Sequence, residues 1–199
     1  MEEKPQRIGV FGGTFNPVHN GHVAIAKSFL NSDYIDALWI LLNPSPPHKP
    51  DEKFAPYQFR LKMLQEAFQS IEHTLVSDLE TRLPQPTYTI QTITYLENSY
   101  PEREFFLCIG QDSFYSFQTW HKWREILDHC LLLVANRPDV EKETINKKLF
   151  SHSIFIDHEP VQVSSTEIRQ RVAQGKPIDH LVPAPVLSFI KKENLYTDI

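Results

Sequence analysis

Apolar residues along this chain collect in six short runs, each long enough for a strand and too short for a helix. They are Arg7–Phe11, Ala37–Leu42, Thr74–Ser77, Glu104–Ile109, Cys130–Ala135 and Ser153–Ile156. Between them lie stretches whose apolar positions recur every three or four residues, the period that lays one greasy stripe along a helix. These predict helices over His22–Asn31, Pro56–Ser70, Thr89–Asn98, Lys122–Asp128 and Glu141–Phe150, with two more at Ser165–Gln174 and Pro185–Glu193. Strand alternating with helix is the pattern of βαβ units around a parallel sheet, which makes the chain α/β. A length of 199 residues suits one domain, 1–199, with a small helical part from about residue 163.

One connection breaks the rhythm. Asn43–Pro56 carries prolines at 44, 46, 47, 50 and 56, which block both a helix and a central strand. A linker is one reading. The other is a substrate loop, because in an open α/β sheet ligands bind beyond the C-terminal ends of the strands.

Composition narrows the classes. Hydrophobic residues at 41% and charged residues at 23% describe an ordinary globular core, and a net charge of −5 argues against coating nucleic acid. The two cysteines, Cys108 and Cys130, sit inside apolar runs and read as buried thiols rather than a disulfide. No apolar run is long enough for a bilayer, and the charged Met1–Arg7 leads directly into a strand instead of a signal sequence. The expected setting is a reducing cytoplasm.

The candidate chemistry starts where the first strand ends, at Gly12-Gly13-Thr14-Phe15-Asn16-Pro17-Val18-His19-Asn20-Gly21-His22. Glycines at a strand-to-helix turn let backbone N–H groups approach phosphates, and a helix N-terminus favours negative charge. His19 and His22 can donate to phosphate oxygens, with Gly21 leaving room beside them. The string is neither a Walker loop nor a Gly-x-Gly-x-x-Gly fingerprint. A zinc site would need further ligands that the neighbouring sequence does not supply, so no protein metal site is expected. Near the C-terminus, Val163-Ser164-Ser165-Thr166-Glu167-Ile168-Arg169 is a good helix cap, and equally a hydroxyl-rich helix start with a guanidinium one turn on.

His19-Asn20-Gly21-His22 resembles the His-x-Gly-His signature of the nucleotidyltransferase superfamily, and Ser164–Arg169 resembles its second hallmark. Further stretches resemble bacterial nicotinate mononucleotide adenylyltransferases over nearly the whole chain. They are Pro46-Pro47-His48-Lys49, Asp78-x-Glu80 leading to Pro86-Thr87-Tyr88-Thr89, Ile109-Gly110-Gln111-Asp112-Ser113 with Trp120, and Asn136-Arg137-Pro138. Asn16 stands where that family usually has aspartate, a place where asparagine can also shape the turn.

The resemblance implies a Rossmann-like, doubly wound parallel sheet and an adenylyl transfer from ATP to nicotinate mononucleotide. It implies that Gly12, Gly13, Thr14 and Phe15 surround the phosphates, with His19 and His22 on the reacting ones. Gly110 and Asp112 would line ribose and adenine, and Ser164, Ser165, Thr166 and Arg169 would hold the leaving pyrophosphate. On the acceptor side, Lys49 and Arg137 would serve phosphate, Thr87, Tyr88 and Thr89 the pyridine carboxylate, and Trp120 the ring. Lys49 could instead be a solvated lysine, Trp120 core packing, and Asp112 a cap. His121 is left without a role, and histidines 73, 129, 152, 158 and 180 read as surface or packing residues. Mg²⁺ would be held mainly by the triphosphate. The alternatives are a sister adenylyl- or cytidylyltransferase acting on the amide mononucleotide or phosphopantetheine, or a nucleotide sensor without turnover.

Overall fold

The computed structural model describes residues 6–44, 54–136 and 146–197. Six strands form one sheet: β1 (Gln6–Gly13), β2 (Ala37–Leu42), β3 (Thr74–Ser77), β4 (Arg103–Gly110), β5 (Leu131–Asn136) and β6 (Ser153–Asp157). All pair in parallel, in the order β3-β2-β1-β4-β5-β6. The expected strands are therefore present, extended by a residue or two where the ladder continues past the apolar run.

Alternation along the strands sends side chains into two cores. Leu38, Ile40 and Leu42 of β2 join Phe11, Phe106 and Cys108 beneath α1 (Asn20–Leu30) and α2 (Tyr57–Phe68). Trp39 and Leu41 join Ile8, Val10, Phe105, Leu107 and Ile109 on the other face. There α3 (Thr89–Ser99), α4 (Gln111–Ser116) and α5 (Trp123–His129) cover them. The next helix, α6, runs over Lys147–Ser151 with Asn146, expected inside a Glu141–Phe150 helix, as its non-helical N-cap; residues 141–145 lie outside the described residues. The last two, α7 (Ser165–Ala173) and α8 (Ala184–Lys192), return to the α1/α2 face. Ile168, Val186 and Ile190 join that core, and Phe189 meets Phe59 of α2 edge-on at 5.7 Å. Helices on both faces of a parallel sheet make the fold Rossmann-like and doubly wound.

The chain moves outward from β1 through β2 to β3, then crosses back to place β4 on the other side of β1. The crevice where strand order reverses therefore opens beyond the ends of β1 and β4, at Gly13 and Gly110. The six-residue α4 and two 3₁₀ turns, Leu79–Arg82 and Phe117–Thr119, have no counterpart among the expected elements. They are too short to show a helical period. Cys108 and Cys130 are buried free thiols, and burial pushes the Cys130 thiol up to about 12. Among the described residues no helix is long and apolar enough to cross a membrane.

Candidate active site

At the end of β1 the chain makes a turn that only a particular set of side chains can hold. Phe15 adopts φ 45, a strained setting for a bulky residue, yet it is buried. Its ring packs on Phe11 at 5.7 Å and His22 at 4.9 Å, which holds the backbone there. Gly13 must be small because a Cβ would come within 2.7 Å of that ring. Gly12 faces open space, so its missing side chain belongs to the cavity. A Cβ on Gly21 would lie 3.1 Å from the His19 ring and from Val163, so this glycine makes room for protein packing as well as for any ligand.

His19 precedes α1 and His22 lies in its first turn, which stacks their rings at 3.7 Å with 26° between planes. The backbone N–H of His19 donates to His22 Nδ1 at 3.2 Å. A nitrogen that accepts carries no proton, so the neutral His22 ring has its N–H at Nε2. Burial pulls His19 down from 6.5 to about 4, and burial followed by its neighbour's charge holds His22 well below its ordinary value. The resting pair is neutral. Both rings line a lobe of about 320 Å³ together with Phe15, Asp112 and His158. His158 was expected at the surface or in packing; the return of the chain after β6 brings it to this lobe, where it also pairs with Ser28 at 3.0 Å.

A second lobe of about 510 Å³ lies on the other side of the same glycines. Thr14, Thr87, Tyr88, Thr89 and Trp120 line it, as do Glu80, Thr92 and His121. The two lobes share Phe11, Gly12, Gly13, Gly110 and Ser113, so they meet at the switch point of the sheet. Trp120 is half-buried, with one side on Phe117 at 5.1 Å and the other on the cavity. Tyr88 and Thr89 open α3. The Tyr88 N–H is taken by Gln91 Oε1 at 2.6 Å, and the Thr87 hydroxyl donates to the Glu80 carbonyl at 3.2 Å.

The C-terminal motif occupies a different place. Ser164 caps α7 by accepting from the Glu167 N–H, Ser165 donates to the Pro17 carbonyl at 2.9 Å, and Arg169 donates to the Asn16 carbonyl at 2.9 Å and toward Thr166. None of Ser164, Ser165, Thr166 and Arg169 lines either lobe; Ser165 and Arg169 brace the turn that carries the histidines. Asn16 is buried at the centre of this bracing, its Oδ1 accepting from the Ala55 N–H at 3.1 Å and the Tyr196 hydroxyl at 2.9 Å. Lys49 and Arg137, with the Pro46-Pro47-His48 segment and Pro138, lie outside the described residues.

Three residues gained a place that sequence reasoning did not give them. Arg60, an ordinary-looking arginine on an amphipathic helix, is fully buried and donates to the carbonyls of Thr14, Asn43, Pro44 and Ala55. It ties the turn after β1 to the chain leaving β2. Glu80 is buried in the second lobe, and the His121 ring lies against Tyr88 there at 4.4 Å, tilted by 35°. The Asp78-x-Glu80 spacing before Pro86–Thr89 was the available signal for Glu80. Among the described residues no three His, Cys, Asp or Glu side chains gather as a cation site.

Comparison with known proteins agrees with this geometry. The cytidylyltransferase-like family model matches residues 10–171, from β1 into α7. The nicotinate-nucleotide adenylyltransferase of Bacillus subtilis is 35% identical, with 96% of this chain and 98% of that protein covered. Two Plasmodium falciparum nicotinic acid mononucleotide adenylyltransferase structures share the fold. One, complexed with NaAD, superposes with a TM-score of 0.79 at 17% identity, covering 96% of this chain and 97% of the other. The second, complexed with APC, gives 0.77 at 16% with the same coverage. The chain belongs to the nicotinate-nucleotide adenylyltransferase family of cytidylyltransferase-like nucleotidyltransferases.

Proposed function

We propose that this protein transfers the adenylyl group of ATP to nicotinate mononucleotide, making nicotinate adenine dinucleotide and pyrophosphate in the cytoplasmic synthesis of pyridine nucleotides. The observation that carries the reading is the pair of lobes meeting over Gly12 and Gly13, one with stacked imidazoles and the other with an aromatic wall and a helix start. Family membership supports the same reaction. ATP would lie in the histidine lobe, over Gly110 and Asp112, and the pyridine ring beside Trp120 and Thr87–Thr89. Lys49 and Arg137 remain the proposed partners of the acceptor phosphate.

The acceptor phosphate is an anion at neutral pH, so it needs no general base. What it needs is alignment with the α-phosphorus and neutralisation of the charge that develops there. The shared glycine wall brings the two ligands together without a side chain between them. His22 Nε2–H and the neighbouring imidazole are donors toward the reacting phosphate. Arriving phosphate charge favours the protonated imidazoles, so the neutral resting pair can become cationic in the complex. Ser164, Ser165, Thr166 and Arg169 would act on the pyrophosphate end by contact, and Ser165 and Arg169 also through the turn they brace. The donor set suits Mg²⁺ carried on the triphosphate and water, where it would offset phosphate charge, because no carboxylate cluster gathers among the described residues.

Pyrophosphate release measured with ATP alone and with ATP plus nicotinate mononucleotide tests the proposal. Release only with both is expected. Release from ATP alone, or none with both, would overturn it.

A further inference from the structure

Glu80 has no task in the chemistry above, yet its position is demanding. It lies in the 3₁₀ turn after β3, only 7% exposed, and lines the lobe that holds Thr87–Thr89 and Trp120. The turn is fixed from outside: the Glu80 carbonyl accepts from the Gln85 amide at 2.8 Å and the Thr87 hydroxyl at 3.2 Å. One carboxyl oxygen accepts from the Thr92 hydroxyl at 2.9 Å, and the other is buried with no hydrogen-bond partner among the described residues. The terminal torsion of glutamate is soft, so the two oxygens can exchange these places at little cost.

A buried carboxyl with one unfilled oxygen and no cation partner among the described residues is poorly set up as an anion. The charged and titratable groups around it do not repair this. Asp78 is paired with Arg82 at 2.9 Å, and Arg60 is spent on four carbonyls beneath Tyr57 of α2. Tyr57 feels Glu80 only as a negative neighbour, while the Tyr88 and His121 rings pack on each other at a tilt. Burial accordingly pushes the Glu80 carboxyl up to about 7, against the Thr92 bond.

We propose that Glu80 reads the acid group of the pyridine ring: protonated in the complex, its carboxyl donates an O–H to the ligand's carboxylate. This rests on the acid mononucleotide being the acceptor. The second carboxylate, delivered next to the first, shares one proton with it, taken from solvent on binding; no other bond changes. The neutral carboxyl and the start of α3 then face the ligand as donors. An ionised Glu80 would do the opposite, repelling the acid and accepting from the NH₂ of the amide.

Calorimetric titration of the whole chain in buffers of different ionisation enthalpy counts protons taken up on binding. Nicotinate and nicotinamide mononucleotides carry the same phosphate, so any protonation of His19 and His22 cancels in their difference. At about pH 7.5 a carboxyl near 7 is mostly ionised, so the acid should take up at least about 0.8 proton more than the amide. The ratio of acid to amide affinity should fall by about tenfold per pH unit above about pH 7. Glu80→Gln keeps a donor but cannot titrate, so it should lose both the excess uptake and the pH dependence. His121→Asn should keep both, which separates the other titratable group of the lobe.

No excess uptake in the native chain, or excess retained in Glu80→Gln, overturns the proposal. Should circular dichroism show that Glu80→Gln does not fold, Thr92→Val carries the test. Losing the hydroxyl that favours the anion should move the fall in acid affinity to higher pH, and an unmoved midpoint is fatal. Pyrophosphate release by the native chain distinguishes the two failures. Turnover without excess uptake removes Glu80 alone, whereas no turnover removes the adenylyltransferase reading.

Discussion

Replacing His19 with glutamine, which is uncharged at any pH, tests whether the imidazole pair is held neutral by burial. His19 is 8% exposed, and burial lowers it from 6.5 to about 4. A group that resists protonation in the folded state binds fewer protons there than in the unfolded chain. Its contribution is therefore whole above about pH 6.5 and drains away as pH falls toward 4. Each tenfold change in proton affinity is worth about 1.4 kcal/mol, so the loss is about 3 kcal/mol. Glu80 works in the opposite sense. Its carboxyl rises from 4.5 to about 7, so its contribution is whole below about pH 4.5 and is lost as pH climbs through 7. That loss is also about 3 kcal/mol. The two slopes oppose each other across the same window, and His22, lowered for the same reason as His19, adds to the acid-side loss. The native chain should thus lose stability toward acid, less steeply than the two imidazoles alone would make it. Urea unfolding across about pH 4.5 to 7.5 separates the opposing slopes. From pH 4.5 to 6.5 the native-minus-His19→Gln difference should grow by about 2 kcal/mol, or roughly 4–8 °C in Tm for a chain of this size. Glu80→Gln should unmask the reverse, a steep loss toward acid. Parallel curves for native and His19→Gln would refute the claim that burial holds the imidazole neutral.

His22→Ala should fold normally and lose roughly a hundredfold or more in kcat, the scale of removing one donor from developing charge; near-normal turnover takes His22 out of the reaction. Arg169→Ala should raise KM for ATP and also lower Tm, because a buried charged donor to the Asn16 carbonyl disappears at a cost of about 1.5–3 kcal/mol. An unchanged Tm would contradict the bracing role. Gly12→Ala should keep native stability while its methyl, entering the cavity between the lobes, cuts turnover. Gly13→Ala should instead lose stability by displacing Phe15, and thermal melts beside kinetics tell the two apart. Acid mononucleotide should exceed the amide in kcat/KM by about two orders of magnitude, since donors left unpaired cost about 1–3 kcal/mol each. Trp120→Ala should weaken both alike, and a selective effect on one would show that the ring contact reads the substituent.

The sequence by itself determined whatever depends on neighbours along the chain. Near-continuous apolar runs at Ala37–Leu42 and Glu104–Ile109 dictate strands covered on both faces, and glycines at the end of β1 ahead of a helix dictate a phosphate-sized turn. Those properties are local, and the motif spacing around His19 and His22 made the family legible as well. Tertiary structure alone decided what each side chain does once distant segments meet. Arg60 looks like any helical arginine until the carbonyls of Thr14, Asn43, Pro44 and Ala55 surround it. Arg169 reads as a phosphate ligand, and only the packing of α7 against the turn adds its bond to the Asn16 carbonyl, 153 residues away. Glu80 becomes an unsatisfied carboxyl only because Thr92 and the second lobe close over it. Burial and hydrogen-bond supply are sums over surroundings drawn from the whole chain, and no local pattern contains them.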